Sequence, residues 1–331
     1  EFPLQACQGI AMVTDPLLRS FRNAVQRIAN PAFLFPQRQA FPGDALKGRS
    51  LHEPQTRERP ERAVPKHALA AAKVRVIGNP EKSADAEDPE VRAEVPNLCE
   101  PVKTQARKKY NECLHGLGHA LMFLTEDGLP DSLALCDLLP TADEKGWCYS
   151  GVFMENSTSA TNRDHPSPYL RPDEPLYPCT ILNERYLPMC YTLQSFYFAE
   201  IEKYDWGKTA AWCMKVPERH RWGCFHAIGQ TQVGFTQDET VMAENCALMP
   251  TDDGRTMCVR GAAGALFERY NNGLDRMLAL CAVAGPRDAG ACYRTFTDTL
   301  RMAGVSEADR QALCARIPDD LRPRCLDAKN D

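Results

Sequence analysis

The chain contains no apolar run near the ~18 residues that a membrane-crossing helix needs, so no transmembrane segment is expected. It has no surplus of positive charge either. With 39 Lys and Arg against 44 Asp and Glu, a formal net charge of −5 argues against bulk attraction to nucleic acid or anionic lipid. Cys-x-x-Cys units are absent, which removes zinc ribbons and redox dithiols. Also absent are the Gly-x-Ser-x-Gly elbow, the phosphate loop and the dinucleotide fingerprint, so no motif assigns a catalytic residue. The 44 % hydrophobic content of the 331 residues is ordinary for a globular protein.

What the chain does have is cysteine in a rhythm. Fourteen of its fifteen cysteines follow residue 98: Cys99, Cys113, Cys136, Cys148, Cys179, Cys190, Cys213, Cys224, Cys246, Cys258, Cys281, Cys292, Cys314 and Cys325. Short steps of 11 to 14 residues alternate with long ones of 22 or 23, except for the 31 between Cys148 and Cys179. A period of about 34 residues marks a repeat architecture.

The repeats can be aligned on the second cysteine of each short pair. One residue past it stand Leu114, Tyr149, Tyr191, Phe225, Val259 and Tyr293. Four past it are Leu117, Val152, Gln194, Ile228, Ala262 and Phe296, and eight or nine past it Leu121, Asn156, Phe198, Val233, Leu266 and Leu300. These offsets form one stripe of an α-helix, which predicts that each such cysteine opens a helix with that stripe buried. Turn signals at Gly128, Gly207, Gly273 and Gly304 follow, and then a second helical segment ending on the next cysteine. The expected fold is all-α: a solenoid of about six helical hairpins, since stacked hairpins share a core that one alone cannot bury.

Fifteen cysteines exceed what a reducing cytosol leaves unpaired, so disulfides and an extracytoplasmic location, periplasmic or secreted, are expected. The rival is a reduced repeat protein that uses cysteine as a small core residue. Two pairings suit a hairpin stack. The long step would leave Cys99 and Cys325 without partners. The short step pairs all fourteen: Cys99–Cys113, Cys136–Cys148, Cys179–Cys190, Cys213–Cys224, Cys246–Cys258, Cys281–Cys292 and Cys314–Cys325. The short step is the expectation.

Residues 1–98 read as a separate arm before the repeat domain of 99–331. One short amphipathic helix is expected over Pro16–Ala29, followed by a charged, proline-punctuated stretch that buries little apolar surface by itself. Phe33, Leu34, Phe35 and Phe41 suggest that this extended arm packs on another surface. Leu4-Gln5-Ala6-Cys7 resembles a lipoprotein cleavage box, with Cys7 as lipid anchor; a free or intermolecular thiol is the favoured reading of Cys7.

The turns Asp127-Gly128-Leu129 and Asn272-Gly273-Leu274 carry a resemblance to the tetratricopeptide superfamily, and more closely to its cysteine-rich Sel-like branch. So do the endings Ala279-Leu280-Cys281 and Ala312-Leu313-Cys314 and the openings Cys148-Tyr149 and Cys224-Phe225. The resemblance covers about residues 99–325. It implies a disulfide clamping successive helices, which supports the short-step pairing, and it implies a binding or assembly module rather than a catalyst.

Two positions past the opening cysteine stand His115, Ser150, Thr192, His226, Arg260 and Arg294, all polar beside an apolar column. They read either as a solvated flank or as a groove for a ligand or partner protein, its arginine end suited to carboxylate or phosphate. His115 and His119 share a helix face at i and i+4, the spacing of a divalent transition-metal site, with Glu155 in register as a third ligand or His52 and His67 from the arm. The bland reading is a histidine pair hydrogen-bonded at a repeat interface. The inserted residues between Cys148 and Cys179 predict a projecting contact loop over 157–176, and Asn156-Ser157-Thr158 forms a glycosylation sequon. The function expected is that of an extracytoplasmic binding or scaffolding subunit of a larger assembly, with the polar column, the 157–176 insertion and the N-terminal arm for contacts and without a resident cofactor. The alternative is a metal-dependent enzyme or metal-binding protein centred on His115 and His119.

Overall fold

In the computed structural model, residues 86–104, 107–161, 167–303 and 305–327 are described. Among them all regular structure is helical. Residues 89–103 hold the short helices α1 (Pro89–Glu94) and α2 (Glu100–Lys103). The hairpins then begin with α3 (Arg107–Leu124) and α4 (Leu129–Cys136), followed by α5 (Ala142–Thr158), after which the described residues hold no returning α-helix. Next come α6 (Leu187–Ile201) with α7 (Trp206–Lys215), and α8 (Arg221–Gln232) with α9 (Glu239–Ala247). The last are α10 (Asp252–Arg269) with α11 (Gly273–Val283), α12 (Pro286–Ala303) with α13 (Glu307–Cys314), and the short α14 (Arg322–Leu326). The leading helices α3, α5, α6, α8, α10 and α12 lie side by side in chain order, each touching the next. Their shared faces build one continuous core, as a solenoid requires.

All seven disulfides form along the short step. Each of the inner bonds ties the end of one hairpin to the first turns of the next leading helix. Their Cα separations, 5.3 to 5.8 Å, fall in the ordinary range for such bonds.

The leading helices begin earlier than the cysteine spacing predicts. Thr141 caps α5 in a capping box with Glu144, and Thr251 caps α10, so Cys148 and Cys258 sit in the second turn instead of opening the helix. The turns differ too. The left-handed residues between α3 and α4 are Glu126 and Asp127, and between α6 and α7 they are Lys203 and Tyr204. The neighbouring glycines matter for space instead: a Cβ on Gly273 would lie 2.5 Å from the Phe267 Cα.

The packed region reaches back into the arm assigned to 1–98. Asp88 caps α1, and Ala86, Val91, Val95 and Leu98 join the core. Cys7, the helix expected over 16–29, the aromatic cluster at 33–41, His52 and His67 lie outside the described residues.

The insertion after α5 corrects a second expectation, because its described part does not simply project. The two polar breaks in the apolar stripe hold it down. Asn156, 1 % exposed, accepts from the Ser167 hydroxyl at 2.6 Å. Gln194, 2 % exposed, donates to the carbonyls of Pro175 and Tyr177, both at 2.9 Å. These bonds satisfy the buried Asn156 side-chain oxygen and the Gln194 side-chain nitrogen, so the described part of the segment packs where the other repeats have a returning helix, and Arg171–Glu174 remain as its exposed tip. Burial also keeps Asn156 away from any glycosylating enzyme in the folded chain.

Candidate functional site

The expected polar column is real and graded. His115, Ser150, Thr192 and His226 are half-buried, whereas Arg260 and Arg294 are exposed. One residue earlier in each helix, every side chain is at most 8 % exposed. Neighbours within the column are joined at only some points. His115 meets Ser150, and Arg260 reaches Thr295 on α12 at 3.2 Å. Thr192 instead turns back onto the Pro188 carbonyl at 2.7 Å. His226 pairs with Gln230 on its own helix. Arg294 extends the exposed end toward the C-terminus.

Backbone geometry brings the two ends of one pair very close. A Cβ on Gly118 would lie 2.1 Å from the Cys148 carbonyl oxygen, and one on Gly151 would lie 2.0 Å from the His115 carbonyl oxygen. Only glycine at both places lets α3 and α5 touch backbone to backbone. Three hairpins later α8 and α10 repeat the contact: Gly229 faces the Cys258 carbonyl and Gly261 the His226 carbonyl, each with a would-be Cβ distance of 1.9 Å. The approach of α5 to α3 carries Ser150 and Glu155 onto the two histidines.

His115 and His119 face each other through their Nε2 atoms, 3.1 Å apart. Behind them, His119 Nδ1 lies 2.6 Å from a Glu155 carboxylate oxygen and His115 Nδ1 lies 2.7 Å from the Ser150 hydroxyl. Ser150 has one proton, and its hydroxyl donates to the Trp147 carbonyl at 2.6 Å. His115 Nδ1 must then be the donor to Ser150. Loss of hydration on burial, with His119 beside it, pushes the His115 pKa down to about 3, so this ring is neutral and its Nε2 presents a lone pair to His119. Burial, and next the Arg260 charge, likewise push His226 down to about 4.

Glu155 therefore stands behind His119 rather than beside the facing nitrogens. Among the described residues, no group of three or more His, Cys, Asp and Glu is arranged to hold a metal ion. A shallow cavity of about 260 Å³ between α9, α10 and α12 is lined by Ala243, Arg255, Val259, Ala284, Arg287 and Asp288, with no nucleophile and base converging there.

Sequence reasoning missed a second polar cluster. Asp137, just after α4, accepts hydrogen bonds from Tyr149 on α5 and, at 2.6 Å, from Tyr186, with Arg185 3.3 Å away. Burial raises both tyrosines, Tyr186 to about 12, so the cluster is a neutral-donor clamp holding the insertion's end against α5. Its members are far apart in sequence and share no spacing rule that could have signalled it.

No helix among the described residues is long and apolar enough to cross a membrane, and seven disulfides fit an oxidising, extracytoplasmic environment. Protein-family models, curated proteins and solved structures were all compared with the chain, and none matches it.

Proposed function

We propose that this chain is an extracytoplasmic binding or scaffolding module, of the kind its resemblance to the Sel-like helical repeats implies, with a protein as partner. The observation that carries the reading is the polar column: six residues on six adjacent leading helices, half-buried over the first four and exposed at Arg260 and Arg294, run beside a column that is buried throughout. A side-by-side row of helices offers a long, rigid surface whose residues change repeat by repeat, which suits recognition of an extended ligand. The Arg260 and Arg294 end favours carboxylate-bearing partners, because a guanidinium pairs with them in two-pronged fashion. The exposed tip Arg171–Glu174 adds a second contact.

Photo-crosslinking side chains placed at Arg260 and at Arg294 test this in the native compartment. The expected result is a discrete crosslinked partner from both positions and none from Lys208 on the returning helix α7. Equal labelling from all three positions would remove the proposal. With a partner in hand, Arg260→Glu together with Arg294→Glu should weaken its binding about 10- to 100-fold, by ~1.5–3 kcal/mol for charge-assisted hydrogen bonds.

A further inference from the structure

The two glycine-contact helix pairs differ at the side chains they bring together. Where α3 and α5 place His119, Ser150 and Glu155, the equivalent positions of α8 and α10 hold Gln230, Arg260 and Ala265. Close packing is achieved equally well with either set, so the histidine arrangement is an addition to the fold rather than a condition of it.

That addition has the form of a ligand set. Each imidazole gives its Nδ1 to an oriented partner on α5, Ser150 or Glu155, and turns its Nε2 to the same point. The facing Nε2 atoms, 3.1 Å apart, meet at a point that a single proton can bridge and that a cation accepting both ring nitrogens can occupy in its place. For metal–nitrogen bonds of about 2.0–2.1 Å, a 3.1 Å separation subtends roughly 100° at the ion, between square-planar and tetrahedral values. Carboxylate and hydroxyl groups behind ligating histidines fix tautomer and ring orientation in such sites.

We propose that His115 and His119 form a two-histidine site for a late first-row divalent cation, with Glu155 and Ser150 as positioning residues and the remaining coordination positions left to water or a ligand. This goes beyond the binding reading and does not depend on it. Two imidazoles suit Cu(II) best and Zn(II) next, following the general affinity order for nitrogen ligands.

Cu(II) titration of the full, chelator-stripped chain, read by electron paramagnetic resonance, tests the site. The expected result is one equivalent with coupling to two nitrogens, weakened at least 100-fold by His119→Gln and unaffected by His226→Gln. Glu155→Gln should weaken it by about 10- to 100-fold, as loss of an orienting carboxylate does. Gln at 119 copies Gln230 of the other pair, so the fold should tolerate it. If that variant fails to fold, Glu155→Gln carries the same comparison. A wild-type chain that binds no Cu(II), or variants that bind as the wild type does, would overturn the site and leave a proton-bridged histidine pair.

Discussion

The pair α3/α5 and the pair α8/α10 are built on one plan and finished differently. In both, two glycines let a carbonyl of each helix enter the space a Cβ would fill, and in both a disulfide closing a 12-residue step pins the second helix. Around that common contact, one pair gathers two histidines, a serine and a glutamate, whereas the other has His226, Gln230, Arg260 and Ala265. Backbone approach is what the stack demands. The side chains above it are free to serve something else, and the α3/α5 set is the one that converges.

The strongest blow to this equivalence is a methyl group. Gly118→Ala and Gly229→Ala should each destabilise by about 3 kcal/mol or more, because the intruded atom is backbone and cannot move aside. Denaturant unfolding that finds one severe and the other neutral would break the pairing. Next in size are the bonds. Replacing Cys136 with Cys148, or Cys246 with Cys258, by alanine should cost about 3 kcal/mol in either case. The second loss should be somewhat larger, because the buried Gln232 amide lies 3.0 Å from Cys246 Sγ and 3.5 Å from Cys258 Sγ.

The smallest expected effect is a pH dependence belonging to α8. His226 titrates near 6.5 when unfolded and near 4 when folded, so the unfolded chain binds its proton first. Its contribution is fully present above about pH 6.5 and is lost as the pH falls toward about 4; the whole shift corresponds to ~3 kcal/mol, which water reaching the half-buried ring reduces to ~2 kcal/mol. His226→Gln should flatten that part of the stability curve. An unchanged slope would place the acid sensitivity elsewhere.

Cysteine parity made the pairing legible, since the short step alone leaves none of the fourteen over. Helix starts were less legible, because Thr141 and Thr251 set them several residues upstream of the cysteines. Asn156 and Gln194 looked like flaws in an apolar stripe. They are the anchors of the insertion, which the sequence hides because Gln194 takes backbone carbonyls as partners and any residues could supply those. The strict eighth place in α8 holds a third such residue, Gln232, turned toward a disulfide. The i, i+4 spacing located His115 and His119. It could not show that Glu155 meets the far nitrogen, since ring orientation depends on how closely α5 approaches.

Because every disulfide joins cysteines adjacent in the series, none of the seven brackets another. Covalently, the chain is a necklace of small closed rings on a single thread. A protease cut within a ring, such as between Cys136 and Cys148, leaves the thread whole, whereas one cut at the Glu126–Gly128 turn severs it despite seven intact bonds. Resistance to shedding fragments therefore rests on non-covalent contact between leading helices, and most of all on glycine against carbonyl.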